Sequence, residues 1–151
     1  MFNRFLVAIL LVAVLLCFVA CSNVNQKESE MNMEEQKWNK MWELWAAGKS
    51  VSPYAELMTY QSEVNNGGHA QYFDNASNTG DLEKEMSILE QLLSTELKTN
   101  LKKAYEAYLL LEENEDDEAA AGSLEQCDSV FWEYEAEIHR VLEEYASGIE
   151  P

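Results

Sequence analysis

His69 and His139 are the only histidines in the chain, and with three cysteines and 28 acidic residues they bound the chemistry open to it. A metal site on a helix wants Glu three residues before His, but Ala136 holds that place before His139. Glu135, four residues back, suits a pair on a helix surface instead. No HExxH occurs. Each histidine therefore reads as a surface or capping residue. The segment from Asn75 to Met86 has Gly80 and Leu82 where a calcium loop has its glycine and apolar residue. Met86 replaces the closing bidentate Glu, and the leading ligand positions are the uncharged Asn75, Ser77 and Thr79, so no calcium site is expected. Ser, His and Asp form no nucleophile elbow or phosphate loop. The expectation is a protein that is not an enzyme, with no catalytic residue, metal or cofactor.

Cysteine chemistry is equally sparse. Residues 1–20 carry Arg4 as their single charge and an apolar run over 5–20 that ends in "FVAC", the pattern of an export signal. It resembles the signal of bacterial lipoproteins, in which a small residue, here Ala20, precedes the cysteine that is lipidated and becomes the new N-terminus, here Cys21. Phe18 stands where that motif usually has Leu. The alternative is an uncleaved anchor, near the short end of the ~17 to 25 residues that span a bilayer. Either way the expected protein is exported and membrane-anchored. Cys127 is then left alone, so no internal disulfide or CxxC site can form, and the fold rests on its core. With nothing basic beside it in sequence, Cys127 reads as a small buried residue.

These groups need elements to position them. Residues 21–32 are polar and aperiodic, as suits a tether; the domain spans 33–151, enough for one core. Trp38, Met41, Trp42 and Trp45 recur at helical spacing, with Gly48 as a stop. A second helix is expected from Ser52 as N-cap and Pro53 at the first helical position, with Tyr54, Leu57, Met58, Gln61 and Val64 on its face and Gly67 and Gly68 ending it. A short helical stretch can follow in residues 69–76, before a loop at 77–80. Asp81 offers a cap for a helix carrying Leu82, Met86, Leu89 and Leu93; from Thr95 another carries Leu97, Leu101, Tyr105, Tyr108 and Leu111. The last helix starts at the capping box of residues 123–126 or at Asp128, and carries Phe131, Tyr134, Ile138, Val141, Leu142 and Tyr145. No segment alternates over a strand's length. The fold class is all-α: a single compact domain of five or six antiparallel helices joined by short loops.

The carboxylates are the strongest remaining feature. Ten Lys and Arg give a net charge of −18, and loss of Arg4 with the signal leaves 28 acids against nine bases, or −19. Such a surface opposes direct nucleic-acid binding and favours a basic protein partner. The candidate binding face comprises Glu112, Glu113, Glu115, Asp116, Asp117, Glu118, Glu133, Glu137 and Glu144 on helix exteriors; its plain reading is a solvated, solubilising surface.

Around the central glycines, Tyr60, Glu63, Val64, Asn66, Gly67, Gly68, Gln71, Tyr72, Phe73 and Asn75 together resemble the signature of a small bacterial family of all-α domains of unknown function, typified by a DNA-mimic protein. The resemblance extends more weakly from about Trp38 to Tyr145. His69 stands where Phe is common in that family, and the export signal is outside its pattern. The resemblance implies an all-helical fold whose acidic surface occupies the DNA site of a transcription regulator. Physically, the string reads as scaffolding: glycines for positive φ, Tyr72 and Phe73 as core anchors, and Asn66, Gln71 and Asn75 satisfying backbone groups at helix ends. Two further functions stay open: a cell-envelope immunity or inhibitor protein against a basic toxin or enzyme, and a small ligand-binding or hydrolytic domain using His69, Gln71, Tyr72 or Cys127.

Overall fold

The computed structural model describes residues 32–150. The signal segment, Cys21 and all of the tether but its last residue lie outside them. Five helices make up the described chain: α1 over 32–46, α2 Tyr54–Thr79, α3 Leu82–Leu89, α4 Thr95–Glu113 and α5 Glu118–Ser147. No strand occurs among the described residues, so the fold is all-α.

The long α5 is the axis of the domain. Both α4 and α2 pack along it, and α3 packs on α2. Asn100 Nδ2 donates to the Cys127 carbonyl at 2.8 Å and Lys103 reaches Gln126, which fixes α4 antiparallel to α5. On the other flank Tyr54 stacks on Tyr145 at 4.0 Å between ring centroids while His69 meets Asp128, so α2 also runs antiparallel to α5. The helix α1 closes one end: Met41 is buried, Trp45 Nε1 donates to Thr59 Oγ1 at 3.1 Å, and Trp38 stacks on His139. Gly48 stops this helix with φ +65°, and Lys49 N–H returns to the Leu44 carbonyl.

The helical stripes form the core. Leu57, Met58, Val64, Leu89, Leu97, Leu101, Phe131, Ile138 and Leu142 are fully or almost fully buried. Each such side chain contributes about 1.5–3 kcal/mol relative to exposure. Caps fix most starts: Asp81 accepts from Lys84 N–H and Ser94 from Leu97 N–H.

Four helix boundaries differ from expectation. The helix α3 ends at Leu89, so Leu93 reaches the core from the turn that follows rather than from the helix. Pro53 occupies the N-cap position of α2 and no side chain caps that start, so Ser52 is not the cap. The glycines do not end α2, which kinks at Gly67 and Gly68 and continues to Thr79, absorbing both the stretch 69–76 and most of the loop expected at 77–80. And α5 begins neither at residue 123 nor at Asp128. It starts ten residues before Asp128, at Glu118, because Asp117 accepts from the N–H groups of Ala119 and Ala120 at 3.0 Å.

Candidate functional site

The kink in α2 is built around Gly68. Its φ of +75° is a left-handed conformation that L side chains rarely adopt, and a Cβ there would stand 2.4 Å from Asp128 Oδ2. Gly67 is different: its φ of −157° is extended backbone, and the atom its Cβ would meet is the end of the flexible Gln71 side chain. The break leaves the second half of α2 with unpaired N–H groups. Asp128 of α5 supplies the missing acceptor from across the interface, taking His69 N–H at 2.8 Å on Oδ1. Gly68 thus lets the two helices come close enough for a carboxylate on α5 to cap a helix on α2.

The same oxygen binds the imidazole. His69 Nδ1 lies 2.6 Å from Asp128 Oδ1, and His69 Nε2 lies 2.9 Å from the Tyr60 hydroxyl. A carboxylate accepts only, so Nδ1 carries the proton it donates, and Nε2 continues the chain to the Tyr60 hydroxyl. His69 is fully buried, not a surface residue, and its ring packs among Tyr60, Phe73 and Phe131. Burial first, then the Asp128 charge, pushes the Tyr60 hydroxyl well above its usual pKa. The Asp128–His69–Tyr60 chain ends on a hydroxyl that is wholly inside the core. Cys127, next to Asp128, is buried as expected; burial raises its thiol pKa and outweighs the opposing effect of Lys103.

Around the kink, two of the amides bind one side chain. Gln71 Nε2 and Asn75 Nδ2 both donate to Glu63 Oε2, at 2.6 and 2.8 Å, tying the two halves of α2 together. Asn66 is exposed at the bend, while Tyr72 and Phe73 are buried anchors. The Tyr72 hydroxyl donates to Glu85 at 3.2 Å, and burial raises the Glu85 carboxyl above its usual pKa, with Glu56 adding to the rise. Residues 75–79, read as part of a failed calcium loop, are helical, and no group of three or more potential metal ligands occurs among the described residues.

The carboxylates of the candidate binding face fall into two places. Glu112 and Glu113 end α4, Glu115 and Asp116 lie in the connection, Asp117 is committed as a cap, and Glu118 opens α5. Glu133, Glu137 and Glu144 form a row on α5 that starts about 22 Å further along the helix and is interrupted by Arg140. Glu135 does not pair with His139. It accepts from Gln61 and Asn65 of α2 at 3.1 and 2.6 Å, whereas His139 pairs with Glu143.

A family model described as DMP19-like protein matches residues 54–149, from the first residue of α2 to just past the end of α5. The chain belongs to the DMP19-like protein family. No curated protein and no solved structure matches it. The DMP19-like match contains the kink, the buried histidine and every carboxylate of the candidate face, while α1 with its three tryptophans precedes it.

Two surface clefts flank the DMP19-like helices. One, of about 470 Å³, is lined by Glu34, Glu35, Trp38, His139, Glu143, Ala146 and Ser147. The other, of about 400 Å³, involves Leu92, Leu93, Glu137, Arg140 and Glu144. Neither is lined by His69, Gln71, Tyr72 or Cys127. Sequence reasoning missed Asp128 as the partner of His69, because the two are 59 residues apart. It also passed over Trp132, which is 54% exposed. The signal for Trp132 was available: it falls off the stripe of Phe131, Tyr134 and Ile138 and onto the row of Glu125, Asp128 and Glu135.

Proposed function

We propose that this DMP19-like chain is a non-enzymatic acidic binding protein, tethered to a membrane through Cys21, that engages a basic protein surface with the carboxylates of its helices. One observation carries the reading: α2 and α5 together hold eleven Asp and Glu against a single Arg140. Helices hold such charges on rigid rods, and duplex DNA presents one charge per ~1.7 Å of axis, so an acidic helical face can stand in for part of a phosphate backbone to a protein built for DNA. The match to the DMP19-like family, together with the resemblance of the Gly67–Gly68 string to a family typified by a DNA mimic, supports a binding role of this kind. The lipoprotein-type signal favours a basic partner in the cell envelope over a transcription regulator.

The test is capture on the immobilised full-length chain from a cell-envelope extract. Retained proteins are expected to be basic and to elute between 0.1 and 1 M salt, as the Debye length shrinks from ~10 to ~3 Å. A Glu133→Gln, Glu137→Gln, Glu144→Gln variant is expected to retain less at every salt concentration. Retention that survives molar salt, or a variant that retains as much as the parent, overturns the reading.

A further inference from the structure

Trp132 stands in an unusual setting. Three of the chain's four tryptophans are partly buried against the core, but Trp132 of α5 is 54% exposed. Helical geometry sets Asp128 and Glu135 one turn to either side of it, with Glu125 two turns back. Asp128 and Glu135 are held in place without an ion pair to Lys or Arg. Glu135 is gripped by two neutral amides, Gln61 and Asn65, and Asp128 is fixed by the imidazole and backbone of His69. Of the α4 lysines, Lys103 reaches Gln126 and Lys102 pairs with Glu90. Arg140, two turns along α5, turns its Nε to the Ala136 carbonyl. The exposed bend of α2, Asn65, Asn66 and Gly67, meets α5 at Glu135 through Asn65. A half-exposed indole edged by positioned carboxylates is complementary to one kind of group, a flat cation.

We infer that Trp132 is the anchor of the acidic interface and receives an arginine side chain of the basic partner. The guanidinium stacks on the indole while its N–H fork meets the carboxylate edges of Asp128, Glu135 or Glu125. Arginine fits and lysine does not fit as well: the guanidinium is planar, weakly hydrated and able to donate in two directions while stacked, whereas an ammonium is a hydrated point charge. Because Asp128 and Glu135 are fixed by α2 before binding, little side-chain freedom is lost on that side. The inference rests on the reading of the chain as a binder of basic surfaces, and it moves the centre of that interface from the row of Glu133, Glu137 and Glu144 to the seam between α5 and the kink.

The experiment measures binding of fluorescently labelled nona-arginine and nona-lysine peptides to the full-length chain in neutral detergent. The two peptides carry equal charge, so general electrostatics binds both. The chain is expected to prefer nona-arginine by roughly two- to fivefold. Trp132→Ala, an exposed substitution whose helix content is checked by circular dichroism, is expected to remove the preference by weakening nona-arginine binding more than nona-lysine binding. Trp132→Phe is expected to keep part of it. Equal binding of both peptides by the parent chain, or a preference that persists in Trp132→Ala, overturns the anchor and leaves the acidic-binder reading standing. Failure of both peptides to bind overturns the two together.

Discussion

At the scale of single residues, the domain depends on one glycine whose two requirements coincide. Gly68 needs positive φ, and it needs the absence of Cβ because the Asp128 carboxylate occupies that space. Gly67→Ala asks only that Gln71, the end of a flexible side chain, swing away from Glu63. Gly68→Ala is therefore expected to cost roughly 1–3 kcal/mol or more, and Gly67→Ala distinctly less, read as midpoints of urea unfolding. Equal losses at the two positions would mean that the close approach of Asp128 contributes nothing. The buried histidine follows from the same contact. Once the chain bends at Gly68, His69 N–H and Nδ1–H both need an acceptor, and Asp128 Oδ1 serves both. Leaving such donors unsatisfied costs about 1–3 kcal/mol, so a histidine is stable in this core position only with its distant aspartate.

At the scale of elements, the parts legible in the sequence were those fixed by neighbours in the chain. Asp81 as a cap, Gly48 as a stop and the stripe of Leu82, Met86 and Leu89 depend on residues a turn or two away, and the structure has them so. What was illegible required contacts between elements. Two adjacent glycines normally close a helix, but here α5 offers a carboxylate to the restarted half, so α2 survives as a kinked rod. The start of α5 was ambiguous for another reason: Asp117, Ser123 and Asp128 each suit a cap, and the acidic run disguised the first as surface charge. The alternatives are separable by substitution. Asp117→Ala is expected to destabilise the domain by about 1 kcal/mol, since it strips the acceptor from Ala119 and Ala120. Ser123→Ala, inside the helix, is expected to be neutral or slightly stabilising because Ala is the better helix former. Thermal unfolding of the two variants checks both, and a costly Ser123→Ala would move the functional start of the helix downstream.

At the scale of the whole molecule, charge is distributed unevenly and weakly compensated. Lys40–Glu43 and Lys102–Glu90 are the lysine–carboxylate pairs among the described residues, and Lys98, Lys102 and Lys103 all sit in the first half of α4. The packed helices α2 and α5 carry eleven carboxylates, eight of them on α5, and Arg140 as their single Lys or Arg. An isolated ion pair at the surface contributes about 0–1 kcal/mol, too little to offset repulsion summed over a net charge of −18. Screening should then stabilise this fold, although salt weakens ion pairs. Raising sodium chloride from 0.01 to 0.5 M shortens the Debye length from ~30 Å to less than ~10 Å. The melting temperature is expected to rise by roughly 3–6 °C, and to rise less in the Glu133→Gln, Glu137→Gln, Glu144→Gln variant. A basic partner would relieve the same repulsion, so the salt that stabilises the free domain is the salt that weakens its complex. Salt titrations of stability and of binding should therefore move in opposite directions; a melting temperature that falls with salt would show that local ion pairs, not the collective field, govern the surface.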